Sequence, residues 1–396
     1  MLEPPPIPHQ EIIDRLRAEY GLECARLAFL PIGADVNTAV YRADISNGAP
    51  CFLKLRKGAF DPGTVEVPLL LKTRGSAAIR AATIAPLETL SGRLWGELGP
   101  FRMILYPFVE GQDGYQAALS ERQWVEYGAA LRGLHDMALP KELAMRIPRE
   151  SFSPSFRDQA RMYLDQALAG RFDAPAASSD AKGLLAVPAA SSDAKRLLAV
   201  PAASSDAQGL LAVPVAARLA AFMRERRDTI AHMLDRCDRL GEALRARIAG
   251  AGEAPGLEFV LCHADVHPGN LHLAPEGALY LVDWDNVIFA PKERDLMSIG
   301  AGMDSDRGQG EALFYSGYCR SSSPASIDRA AQIDRAALAY YRYERIIEDF
   351  AAYGDQLLAS TEGGADREQS YEYFLSNFRP GGVIEVAFRT DSYWIA

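Results

Sequence analysis

Between Leu261 and Asp285 the chain reads LCHADVHPGNLHLAPEGALYLVDWD. Phosphoryl transfer needs a carboxylate that orients the attacking hydroxyl and takes its proton, together with an amide and a second carboxylate that hold Mg2+ on the phosphates. Asp265, Asn270 and Asp283 supply those groups in that order. Phe259–Cys262 and Leu279–Val282 have strand character and flank a turn at Ala274–Gly277, so a hairpin is expected to return Asp283 to the side of Asn270. Asp285, just beyond, suits a metal or substrate contact and equally a structural hydrogen bond.

The same chemistry needs a cation for the α- and β-phosphates of a nucleotide. Lys54 alternates out of a strand, Phe52-Leu53-Lys54-Leu55, which is the setting of a phosphate-pairing lysine. Glu66, in the helix that follows, is the nearest candidate to pair with it. The loop from Gly33 to Thr38 could cover phosphates with its backbone N–H groups, although it lacks GxGxxG. No Gly-Lys dipeptide occurs, so there is no Walker A loop. Cys262, His263, His267 and His272 lack zinc-ligand spacing, and alternation sends Cys262 and His263 to opposite faces of a strand. His263 is expected to anchor the loop by hydrogen bonds, and His135 to be a satisfied histidine at a helix end. Asp295 is expected either to cap the helix that follows it or to brace the catalytic loop.

These groups need elements to hold them. Leu27–Pro31, Thr38–Ile45 and Cys51–Leu55 read as strands, with a tight turn at Asn47-Gly48. Asp61-Pro62 opens a helix carrying Val65, Leu69 and Leu70 on one face. Further strands are expected at Ala82–Pro86 and Phe101–Phe108. From Ser120 the period becomes helical: Ser120 to Gln123 is a capping box, with Trp124, Tyr127, Leu131 and Leu134 at helix spacing. Helical patterns return at Phe152–Ala169, Val215–Ala249 and Ile327–Leu358. Residues 175–213 are three near-copies of a 13-residue unit, too short a period for a stacking solenoid, and read as a functionally silent insertion, with a partner-binding tract as the alternative.

Composition limits the partners. The 396 residues are 48% hydrophobic and 24% charged, an ordinary globular balance. A net charge of -10, with no long basic block, argues against nucleic acid as a partner. No apolar run approaches the roughly 20 residues that span a bilayer. Five scattered cysteines do not make a disulfide framework, so a reducing, cytoplasmic location is expected, with no membrane partner.

HADVHPGN followed by VDWD resembles the catalytic loop and metal motif of the aminoglycoside phosphotransferase family, which shares the protein-kinase fold. The order Lys54, Tyr106–Phe108 linker, Asp265, Asn270, Asp283 extends the resemblance over most of the chain. The stretches APKERDLMSIG, YYRYERIIED and NFRPGGVIEVAFRTD look most like the spectinomycin phosphotransferase branch. The resemblance implies an α+β, bilobal protein-kinase-like fold: a small antiparallel-sheet N-lobe over residues 1–107 and a larger, mainly helical C-lobe over residues 108–396. It further implies Asp265 as the base, Asn270 and Asp283 as Mg2+ ligands, and Lys54 on the phosphates of ATP. Backbone near Tyr106 and Phe108 would take the adenine. Ala264 stands where protein kinases carry Arg, and little room follows Asp283 for an activation segment, so a small-molecule acceptor is expected over a protein.

Between Tyr341 and Glu372 acids outnumber bases, and Glu344, Glu348 and Asp349 are candidates to attract a cationic acceptor such as an amino-sugar. A solvated helix face explains the same charges. The expected protein is therefore a monomeric ATP- and Mg2+-dependent kinase, with spectinomycin the favoured acceptor. A kinase of choline, homoserine, methylthioribose or a fructosamine is the alternative, or a non-catalytic nucleotide-binding scaffold.

Overall fold

The computed structural model describes residues 4–32, 37–173, 214–250, 256–300, 309–319, 333–360 and 364–392. The glycine loop at 33–36 and the three repeats lie outside the described residues. The chain divides into two compact units, residues 1–151 with 255–334 and residues 152–254 with 335–396. The lobe boundary expected at residue 107 falls inside the first unit.

In the first unit, strands β1 (Cys24–Leu30), β2 (Thr38–Ile45), β3 (Cys51–Lys57), β4 (Gly96–Leu98) and β5 (Phe101–Pro107) form an antiparallel sheet in the order β1-β2-β3-β5-β4. Alternation sends Tyr41, Leu53, Leu55, Met103 and Leu105 into one core with Ile12, Leu16 and Tyr20 of a helix at His9–Tyr20. That helix adds to the elements expected from sequence, although its buried residues recur four apart. On the opposite face Lys54 sits level with Val40 and Ile104, and Ile104 packs on Val65 of the helix Gly63–Arg74. Asp61 caps this helix, its Oδ1 accepting from Gly63 N at 2.8 Å. At 82–86, where a strand is expected from sequence, the chain makes only a single bridge, Thr83 to Leu281, just after a short helix at Ala77–Ala81.

The Ser120 capping box forms as the sequence requires and starts the helix Glu121–His135. This helix crosses Gln309–Tyr318 at two glycines. A Cβ on Gly128 would collide with the Phe314 carbonyl oxygen, and one on Gly317 with that of Val125. Only glycine permits so close an approach.

The second unit packs helices Ser155–Leu168, Val215–Glu225, Arg227–Ile248, Arg335–Gly354 and Val383–Ser392. Tyr340, Tyr341 and Tyr343 are core residues here. So is Arg157, whose guanidinium is fully buried; it donates to Glu344 Oε2 (2.6 Å), Asp238 Oδ1 (2.6 Å) and the Tyr340 hydroxyl (3.1 Å). No described helix is long and apolar enough to cross a membrane, and the five cysteines form no disulfide.

Candidate active site

Two short ladders frame the chemistry. Strands β8 (Leu271–Leu273) and β9 (Leu279–Leu281) form the hairpin across Ala274–Gly277, with Leu271 opposite Leu281 and the two-residue strand β6 (Gln112–Asp113) paired on the other side of β8. Val282 N donates to Asn270 O at 3.0 Å, so Asp283 does return beside Asn270. Phe259–Cys262, expected as an arm of that hairpin, instead forms strand β7 and pairs with β10 (Ile288–Pro291). Residues 263–270 and 282–287 are therefore two loops leaving adjacent ladders.

Buried groups hold the first loop. Ala264 has φ of 69°, a left-handed conformation that costs a non-glycine residue energy. It is held by Asp295, whose carboxylate accepts from Ala264 N (2.6 Å) and His263 N (2.9 Å). His135 Nε2 donates to the same carboxylate at 3.0 Å, and the Tyr318 hydroxyl meets His135 Nδ1 at 2.7 Å. Burial by itself would raise the pKa of Asp295; the hydrogen bond from His135, with the nearby His263 and the Ala264 amide, brings it below the usual carboxylate value. Of its two expected roles, Asp295 performs the bracing one. His263 does anchor the loop, donating from Nε2 to Val282 O at 3.0 Å with its ring 4.6 Å from Trp284.

The candidate residues make the following contacts. Asn270 Nδ2 donates to Asp265 O at 2.8 Å, which turns its Oδ1 away as an acceptor. Asn286 Nδ2 donates to Asp265 Oδ2 at 3.3 Å. Lys54 Nζ donates to Asp283 Oδ1 at 2.8 Å and Asp285 Oδ2 at 2.9 Å, while Arg56 donates to the same Asp285 oxygen. The enclosing protein would raise the pKa of Asp283, but the Lys54 ammonium overrides this and lowers it, helped by His263 and Arg56. Asp283 also has a positive φ of 65°, aiming its carboxylate at Lys54 as the chain leaves the hairpin.

Two expectations need correction. Glu66 does not pair with Lys54: both its oxygens are taken by the Arg146 guanidinium, one at 3.1 Å from Nη1. Lys54 has nearer carboxylates, and they come from the hairpin. Glu344 is no surface attractant, because its buried carboxylate is committed to Arg157. Glu348 and Asp349 lie beside Arg345 on their own helix, at 4.0 and 3.4 Å. Tyr106 is the last residue but one of β5, opposite Phe52, and burial pushes its phenol up to about 12. Phe108 donates its N–H to Pro50 O at 3.0 Å and lies under the Arg42 guanidinium. Arg56 and Asn286 join the site without having been expected there. Arg56 was findable, being two residues from Lys54 on the same strand face; nothing in the sequence marked Asn286.

Asn270 Oδ1 and the Asp283 carboxylate are oxygen donors, the kind a hard divalent cation such as Mg2+ takes, and the Asp283 side chain is 48% exposed. The two loops therefore present the Asp265 carboxylate, oxygen donors at Asn270 and Asp283, and the Lys54 ammonium group bound to Asp283.

A model of the phosphotransferase enzyme family matches residues 29–333. A spectinomycin phosphotransferase solved in complex with ADP and spectinomycin is 29% identical, covers 98% of this chain and 99% of its own, and superposes with a TM-score of 0.75. An AMP-bound complex of spectinomycin phosphotransferase is 27% identical over 96% of this chain and 98% of its own, with a TM-score of 0.70. Protein StrN of Streptomyces griseus is 27% identical over 276 residues, 69% of each chain.

Proposed function

The chain belongs to the phosphotransferase enzyme family, and from that premise we propose that it moves the γ-phosphoryl group of ATP to a hydroxyl of an aminoglycoside-type antibiotic, spectinomycin first. The fold is kinase-like, and the protein is a small-molecule kinase. The likeness to two spectinomycin phosphotransferase structures over nearly the whole chain supports the choice of acceptor.

One observation carries the reading: the Lys54 ammonium reaches Asp283 at the end of the hairpin that also presents Asp265 and Asn270. In the mechanism, Lys54 exchanges aspartate oxygens for those of the α- and β-phosphates. Asp265 orients the acceptor hydroxyl and takes its proton as the phosphoryl group moves in line. Asn270 and Asp283 would hold Mg2+, which would neutralise charge on the phosphate oxygens. Backbone at Tyr106–Phe108 meets the adenine. The enzyme works in the cytoplasm as a monomer on a cationic acceptor, with no nucleic acid or membrane partner.

ADP release measured with ATP and a panel of spectinomycin, choline, homoserine, methylthioribose and a fructosamine tests the proposal. Turnover with spectinomycin is expected. Turnover with a metabolite alone would replace the acceptor, and turnover with none would remove the assignment. Asp265→Asn is expected to lower kcat by about 10^2 to 10^4 without unfolding the protein; an unchanged rate would show that another group is the base.

A further inference from the structure

We propose that Asn286 is a positioning residue for the base, holding one oxygen of the Asp265 carboxylate so that the other is presented to the acceptor; this rests on the reading of Asp265 as the base. Asn286 Nδ2 donates to Asp265 Oδ2 at 3.3 Å. A carboxylate turns readily about its terminal torsion, which is broad and two-fold. Tying one oxygen removes that freedom before the acceptor arrives. The other oxygen, Oδ1, faces His267, whose Nε2 lies 3.8 Å away. Gly269 N donates to His267 Nδ1 at 3.1 Å, so the proton of the neutral ring sits on Nε2, towards Asp265.

The position of Asn286 is itself fixed. It ends the 3-10 turn Trp284–Asn286, whose first residue is buried and donates from its indole to Leu281 O at 3.1 Å. Beyond it Val287 is buried and Ile288 enters the ladder opposite Cys262. The preceding side chain, Asp285, takes Lys54 and Arg56. One turn thus offers consecutive side chains to the phosphate-side cations and to the base. A neutral amide suits the contact with the base, because it donates without adding charge, whereas a carboxylate would repel Asp265.

The experiment compares wild type with Asp265→Asn, Asn286→Ala, Asn286→Asp and Asn286→Ser. It reads ADP release with spectinomycin, slow ATP hydrolysis with water as acceptor, and thermal unfolding. Asn286→Ala and Asn286→Asp are expected to lose about tenfold in kcat in both assays, with KM for ATP and Tm nearly unchanged. Asn286→Ser, which keeps a donor, should recover part of the loss. In the Asp265→Asn background Asn286→Asp should lose nothing further. Wild-type kcat in Asn286→Asp, a near-isostere without the donor, would overturn the proposal, as would a loss seen only in Tm. Should Asp265→Asn keep the wild-type rate, the base assignment fails and the positioning role falls with it; an inactive Asp265→Asn beside a fully active Asn286→Asp removes the positioning role alone.

Discussion

Lys54 and Asp283 stand 229 positions apart in the chain, yet the ammonium nitrogen lies 2.8 Å from Oδ1 of the carboxylate. The amine belongs to a side chain in the middle of a five-stranded sheet that is only 11% exposed, whereas the carboxylate lies two residues beyond the end of a three-residue strand. A buried ammonium without partners is costly. Asp283 and Asp285 supply them here, and phosphate oxygens can take their place. On the proposed function, this contact is where the negative charge of a nucleotide would be received.

Replacing that amine should be felt mainly in catalysis. Lys54→Met is expected to lower kcat/KM for ATP by about 10^2 to 10^3, the size of effect seen when one preorganised charge-stabilising group is removed. Arg56 stays with Asp285, so the site keeps part of its charge balance. Steady-state ADP release checks this; a loss under about threefold would place the phosphates elsewhere.

Asp295 gives a prediction that depends on pH. Its folded-state pKa is lowered, so its ionised form contributes stability above the ordinary carboxylate value, and that contribution is lost as pH falls through the lowered pKa. Asp295→Asn should destabilise the protein by about 3 kcal/mol at pH 7, since it breaks a buried charged hydrogen-bond network. The gap between wild type and variant should narrow once pH drops below about 4. Urea unfolding from pH 7 to pH 3 would reveal it; a constant gap would mean that the carboxylate's charge plays no part.

Glu66 should matter little to nucleotide binding. Its partner Arg146 is largely exposed, and pairs of this kind contribute about 1 kcal/mol or less. Glu66→Gln is expected to leave KM for ATP within about twofold of wild type. A tenfold rise would show that Glu66 leaves Arg146 and serves Lys54 in the working enzyme.

The buried Arg157–Glu344 pair makes a contrasting case. Glu344→Ala removes the partner of a fully buried guanidinium and is expected to cost about 3 to 5 kcal/mol of stability. The protein that remains folded should keep its KM for spectinomycin. An unchanged Tm with a raised KM would instead return Glu344 to the acceptor site.

The sequence alone determined which residues could do the chemistry and in what order they occur. Asp265, Asn270 and Asp283 needed only a short hairpin to meet, and its turn was written in Ala274–Gly277. The three leading strands and the Ser120 capping box were readable for the same reason: alternation, helical period and caps act over a few residues.

Tertiary structure decided the partners. Only the packed first unit shows that Lys54 meets Asp283 and Asp285 and not Glu66, that Phe259–Cys262 pairs with Ile288–Pro291, and that Asp295 holds the strained backbone at Ala264. It is likewise packing, within the second unit, that ties the charged Glu344 to Arg157 and removes it from the surface. The physical reason is common to all four. Spacing along a chain says which face of an element a side chain shares, but the nearest opposite charge or unpaired strand edge is chosen by how separate elements pack, and that depends on residues far away in sequence.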